Sequence, residues 1–163
     1  MLLQILSHTP VWVFGLFGFL LYLSWQQSKT RQVKQAVIFI LPVGMLFLSF
    51  FGLVSSFGYT LLPIGLWLAG LVAVTLIAQT TFAVTGAKYE PAQKVYVIPG
   101  SWVPGLFIMA IFLCKYVVGV MSATSPEVLQ LPLIKFGLSV LYGAFSGVFF
   151  ARALSVYRVK HQI

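Results

Sequence analysis

Read for its hydrophobic and polar positions, the chain is a series of long apolar runs separated by short polar connections. The runs lie at about residues 10–25, 36–57, 61–82, 102–122 and 132–153. A helix rises ~1.5 Å per residue and the hydrocarbon core of a bilayer is ~30 Å thick, so about 20 apolar residues cross it. Each run therefore predicts a transmembrane helix. Thr9 suits the N-cap of the first and Pro10 its first helical position. Pro42 predicts a kink in the second. The link "GYT" is short enough to force the second and third into an antiparallel hairpin. The expected fold is all-α and polytopic, a five-transmembrane-helix bundle in one integral membrane domain spanning residues 1–163.

The polar connections set a direction. "QQSKTRQVKQ" carries Lys29, Arg31 and Lys34; the third connection carries Lys88 and Lys94; the C-terminal end carries Arg152, Arg158 and Lys160. The other connections have no Lys or Arg, and "SATSPEVLQ" holds Glu127. In a five-span chain every basic connection then falls on one side. The positive-inside rule places the N-terminus outside and the C-terminus in the cytoplasm. The N-terminus lacks a basic n-region and a small-residue cleavage site, which predicts an uncleaved anchor rather than a signal peptide. The leading "MLLQIL" fits a short helix in the outer interface. Trp12 and Trp67 are expected at the outer aromatic belt, Trp25 and Trp102 at the inner one.

The third connection has structure of its own. "AKYE" and "KVYVI" are β-prone runs around "PAQ" and predict a small cytoplasmic hairpin. Ser101 is the expected N-cap of the helix that follows, with Pro104 in its first turn. Tyr89, Glu90, Tyr96 and Trp102 make this hairpin a candidate docking surface; the alternative is a simple turn with interfacial tyrosines.

Composition agrees with the pattern. Hydrophobic residues are 60% of the chain, charged residues 7%, and mean hydropathy is +1.02. A soluble domain carries roughly a quarter charged residues, so this chain has too little polar material to coat a globule. The net charge of +8 does not indicate a nucleic-acid partner, because the basic residues sit between apolar runs rather than on one soluble face. The expected partners are membrane lipids, with a second copy of the chain or another protein as further candidates. The lone Cys114 allows no internal disulfide.

Lipid tails are as apolar as leucine, so close packing must drive helix association. Ser139, Gly143, Gly147 and Ala151 form a small-residue ridge on the fifth span. Gly65, Ala69 and Ala73 form a similar row on the third. Such ridges serve packing within one bundle or self-association; the first is the expectation.

Chemistry is sparse. The only carboxylates, Glu90 and Glu127, lie in connections, so no intramembrane proton relay is visible. No metalloprotease motif occurs, His8 and His161 fall on opposite sides, and the span serines lack a histidine partner. Met45, Met109, Met121 and Cys114 suggest packing rather than a soft-metal site. His8 reads as polar punctuation more readily than as a pH sensor or metal ligand. Glu127 and Lys135 could form a surface pair contributing roughly 0–1 kcal/mol. No catalytic residue, metal or cofactor is expected.

One charge stands out. Within "FLCKYVVG", Lys115 lies well inside the fourth run. An ammonium at mid-helix costs about 2.5–3.5 kcal/mol on insertion scales. Either its stem snorkels toward the outer interface past Gly119 and Ser122, or it holds an anionic ligand with those residues leaving room.

The segments "LSHTPVW", "GAKYEPAQKVYVIPGSW", "IFLCKYVVG" and "LYGAFSG", in that order, resemble a family of small multi-pass bacterial inner-membrane proteins, a domain of unknown function. The resemblance implies a multi-pass fold in the inner membrane of Gram-negative bacteria and carries no activity, cofactor or catalytic residue. The expected function is a non-enzymatic accessory or scaffold protein of the inner (plasma) membrane. The alternative is a small transporter or binding protein for an anionic or amphiphilic ligand, using Lys115. A reporter active only in the cytoplasm should be active when fused after Ile163 and silent within "SATSPEVLQ"; the reverse pattern would invert the topology.

Overall fold

The structure, a computed structural model, describes residues 9–162, with the side chains of the last two, His161 and Gln162, excepted. His8 and the expected interfacial helix over "MLLQIL" lie outside the described residues. Helix α1 (Val11–Gln27) leads through strand β1 (Arg31–Lys34) into α2 (Gln35–Phe57). Then follow α3 (Leu61–Thr81), strands β2 (Lys88–Glu90) and β3 (Val95–Ile98), and α4 (Val103–Thr124). A single turn, α5 (Pro126–Leu129), precedes the long α6 (Pro132–Arg158), which ends in a 3-10 turn, Val159–Gln162.

The chain is 76% helical and carries a small sheet, so it is mostly helical rather than all-α. Four helices, α2, α3, α4 and α6, are long and apolar enough to cross a membrane. Helix α1 is shorter, at 17 residues. That is about 25 Å at ~1.5 Å per residue, just under a ~30 Å hydrocarbon core.

Among the described elements α3 and α6 share the most extensive contact, and glycine permits it. A Cβ on Gly143 would collide with the carbonyl oxygen of Trp67. One on Gly147 would lie 2.7 Å from the Leu71 carbonyl oxygen, and one on Gly70 2.5 Å from that of Val140. Ser139 and Ala151 are fully buried on the same side of α6. The ridge on α6 is thus used inside the bundle. The row on α3 is not: Gly65, Ala69 and Ala73 are exposed, and Gly65 has nothing within 4 Å. Instead α3 turns Pro63, Trp67, Gly70 and Ala78 inward. The row failed as a guide because small residues repeat on two faces of α3, and spacing alone does not select one.

Trp67 was expected at an interfacial belt and is instead buried. Its Nε1 donates to Ser49 Oγ at 3.1 Å, and Ser49 Oγ lies 2.7 Å from Ser146 Oγ. This node ties α2, α3 and α6 together between polar atoms that lipid could not satisfy. Interhelical hydrogen bonds in membranes average about 0.6 kcal/mol, so the node supplements the close packing rather than replacing it. Trp12, Trp25 and Trp102 are exposed, as belt residues should be.

Helix α6 runs parallel to α3, as the ordered pairs Trp67–Gly143, Leu71–Gly147 and Phe82–Arg152 require, and antiparallel to α2, as Phe39–Tyr157 and Ser49–Ser146 require. The predicted hairpin forms, with Tyr89 opposite Tyr96 and Lys94 in a left-handed turn conformation at φ 54°. The first connection adds a third strand, β1, which pairs antiparallel with β3 to give the order β1-β3-β2. The sheet gathers the basic connections at one end of the bundle. Its inner face, with Tyr96 and Ile98, packs on Ile38, Ala153 and Val156.

Local capping differs from expectation in detail. Pro10, not Thr9, precedes α1, and no side chain caps it. Trp102 precedes α4, while Ser101 Oγ still accepts from Val103 N at 3.3 Å. Lys135 lies 5.9 Å from the Phe57 ring centre, and among the described residues it forms no pair with Glu127.

Gly143→Ala is expected to destabilise the monomer by about 1–3 kcal/mol through overpacking, and Gly143→Leu to prevent folding. Gly65→Ala should stay within about 0.5 kcal/mol of wild type, or gain slightly from helix propensity. Unfolding in detergent with a parallel measurement of oligomer size checks both; a folded Gly143→Leu that loses only self-association would reassign the ridge to a dimer.

Candidate functional site

Helices α2, α3 and α6 form one tight unit, and α1 and α4 form a second. Helix α1 packs along α4: a Cβ on Gly105 would come 2.9 Å from Ser24 Cβ, the Phe17 and Phe112 rings lie 5.3 Å apart, and Thr9 Oγ1 is 2.7 Å from Tyr116 Oη. The two units meet through long side chains rather than backbone. Phe107, Phe145, Phe149, Ile108, Leu41 and Met45 share one cluster at the seam. No glycine of α1 approaches another element; a Cβ on Gly15 or Gly18 would meet nothing within 4 Å.

This loose seam leaves a cleft of about 1100 Å³. That is at or just above the upper end of the range for small-molecule pockets. Its walls are Trp12, Val13, Leu16 and Leu20 of α1, Leu41, Met45 and Leu48 of α2, and Ile108, Ile111 and Phe112 of α4. Polar atoms gather away from the sheet, at Thr9, Lys115, Tyr116, Thr124 and Ser125.

Lys115 is half-buried and lines the cleft. Its ammonium reaches across to α2, filling the notch left by Gly52, and lies 5.1 Å from the Tyr142 ring centre on α6. A cation over an aromatic face gains about 0.5–2 kcal/mol, more when desolvated. No carboxylate helps: among the described residues neither Glu90 nor Glu127 pairs with it, and Glu90 lies in the sheet at the other end. Gly52 is the residue that accommodates this charge. Sequence reasoning missed it because Gly52 sits on another helix, and only the tertiary fold brings the two together.

The other candidates separate. Gly119 lines the cleft but is open, with nothing within 4 Å, so it does not shape the path of the amine. Ser122 is exposed and donates to the Val118 carbonyl of its own helix at 2.9 Å. The docking set divides as well. Tyr96 is fully buried, its ring 4.8 Å from that of Tyr89, and its hydroxyl has no hydrogen-bond partner among the described residues. Burial pushes that phenol above its ordinary pKa, with Tyr89 and Tyr157 adding to the effect. Tyr96 therefore belongs to the core and offers nothing to a docking partner. Glu90 alternates to the opposite face of the hairpin and is exposed, and Trp102 is exposed.

Among the described residues no group of His, Cys, Asp and Glu is arranged to hold a metal. Met45 and Met109 lie in the seam, while Met121 and Cys114 pack in another cluster, so the sulfur atoms are not gathered either.

The chain belongs to the family of unknown function DUF6622, which it matches over residues 1–162. No functionally curated protein and no solved structure matches it. The function of the family is unknown, so the functional reading rests on the geometry of the cleft.

Gly52→Ala places a methyl group where the ammonium sits. The far end of a lysine moves easily, so stability should fall by less than about 1 kcal/mol, and Lys115→Met should be as stable as wild type or more so. Combining the two changes should remove even the small Gly52→Ala penalty. A double-mutant cycle by unfolding in detergent measures this coupling; severe misfolding of Lys115→Met would show that the amine holds the bundle together.

Proposed function

We propose that this chain is a non-enzymatic, five-span protein of the bacterial plasma membrane that holds an anionic amphiphile in the cleft between α1, α2 and α4. The apolar walls take the chain of the ligand, and Lys115 engages its charged head. One observation carries the reading: a lysine lines a large apolar cleft within a helical bundle, and its ammonium has an aromatic ring but no carboxylate beside it. A cation so placed favours an anion that arrives with its own hydrocarbon.

The fifth span is α1. It runs along α4 from Gly105 to Tyr116 and so shares the depth of a helix that crosses. The parallel course of α3 and α6 and the basic residues at the sheet end fit a cytoplasmic sheet and C-terminus, with the N-terminus outside. A scaffold role remains the rival. It explains the tight unit of α2, α3 and α6, but it gives the cleft and its lysine no task, and burial of Tyr96 reduces the docking surface.

Native mass spectrometry of protein extracted with its lipids tests the reading. Wild type should retain one anionic amphiphile per chain. Lys115→Met should weaken retention about ten- to a hundredfold, since a hydrogen bond to a charged group contributes about 1.5–3 kcal/mol. Lys115→Arg should keep part of it. Gly119→Trp should lower retention by filling the cleft. Equal retention by all four proteins would leave the scaffold reading in place.

A further inference from the structure

The sheet end of the bundle holds a second concentration of charge, unrelated to the cleft. Arg152 of α6 is only 9% exposed. Its Nη1 donates to the carbonyl of Phe82, at the C-terminus of α3, at 3.2 Å. A guanidinium has five N–H donors, and this is one bond. The end of a helix offers roughly half a negative charge, which offsets part of one cation.

A second cation lies beside it. In the sheet, Arg31 is paired with Ile98 and Val33 with Tyr96. Directly opposed residues share a face, and Ile98 and Tyr96 pack against Ala153 and Val156, which flank Arg152 in α6. Arg31 therefore emerges on the covered face of the sheet, the face that packs against the turn of α6 carrying Arg152, so two like charges share this covered region. The carboxylates of the chain do not answer them. Glu90, paired with Val95, projects from the opposite face, and Glu127 sits in α5 at the far end. Two like charges at a partly desolvated site, with no carboxylate partner among the described residues, favour an anion from outside.

We propose that Arg31 and Arg152 together bind a phosphate-bearing anion where the sheet meets the ends of α3 and α6. The planar forks of two arginines suit the oxygens of a phosphate, which accept paired N–H donors. The position, at the rim of the apolar bundle, suits the head group of an acidic phospholipid. Free phosphate has the same chemistry and is distinguished by experiment. The site stands whether or not the cleft binds a ligand.

Thermal unfolding is followed in nanodiscs of phosphatidylcholine alone, of phosphatidylcholine with phosphatidylglycerol, and of phosphatidylcholine with inorganic phosphate added. Because Arg152 also holds Phe82, Arg31 carries the test. Arg31→Gln should melt at or above the wild-type temperature in pure phosphatidylcholine, since a repulsion has gone. With the anion present, wild type should gain several degrees and overtake it. Lys34→Gln, on the opposite face of the same strand, should respond like wild type. Stabilisation by phosphatidylglycerol but not by inorganic phosphate assigns the anion to lipid; the converse assigns it to the free ion. An equal response of wild type and Arg31→Gln to every anion, or an equal loss in Lys34→Gln, would overturn the proposal.

Discussion

The approach of α6 to α3 is the contact on which the rest of the bundle depends. In a bilayer the helices gain nothing from leaving lipid, so only close contact between them can hold them. Here the contact is backbone on backbone, at Gly143 against Trp67 and Gly147 against Leu71. It fixes the depth of α3 relative to α6. That depth brings the Trp67 indole level with Ser49 and Ser146, and Phe82 level with Arg152. It also makes the two helices parallel, which requires the intervening chain to return across the bundle. The polar contacts are consequences of that register; shifting α6 by one turn would break each of them.

The second unit is held differently, and the cleft follows from that difference. Phe107, Phe145 and Phe149 keep α4 at a distance that glycine would have closed. Side chains of this size meet well along part of a seam and leave volume elsewhere, whereas glycine contacts leave almost none. The bundle thus joins a dense pair, with no room for a ligand, to a looser seam that has room. Lys115 spans the looser seam, its stem on α4 and its ammonium against α2 and α6.

Each hydrophobic run coincides with a helix, four long and α1 shorter, with α6 continuing to Arg158 beyond its apolar run, because a run of apolar residues of this length suits a helix surrounded by lipid. The turn residues located the β2–β3 hairpin for a similarly local reason. What the sequence did not disclose depends on residues distant along the chain. Strand β1 reads as a basic loop, and it is a strand because β3 offers it an edge. Trp67 reads as interfacial by its place near the start of a run, and it is buried because Gly143 of α6 lets the two backbones close at this level. The candidate site was half legible. A lysine in an apolar run announces itself, but its partners Gly52 and Tyr142 are ordinary residues of other helices. Arg31 and Arg152 read as topology signals, and nothing local marks them as neighbours.

Ten cations and two carboxylates leave this chain without internal counterions, and aromatic rings fill part of that gap. Lys29 lies over Trp25 at 3.4 Å, Lys115 over Tyr142 at 5.1 Å, Lys135 over Phe57 at 5.9 Å and Lys160 over Tyr89 at 5.4 Å. For the exposed lysines water supplies the remainder. For Lys115 the magnitudes do not balance. A ring contributes about 0.5–2 kcal/mol, while an ammonium at mid-membrane costs about 2.5–3.5 kcal/mol. The shortfall of about 0.5–3 kcal/mol is reduced by water reaching the amine or by an anion. The lining of the cleft favours the anion, because its long walls are apolar and its polar atoms cluster beside the lysine. Arg152 meets the same constraint with a helix carbonyl in place of a ring. The bundle therefore carries positive charge at two levels, at Lys115 within α4 and at the sheet end, and a surrounding membrane is the nearest source of anions that also carry hydrocarbon.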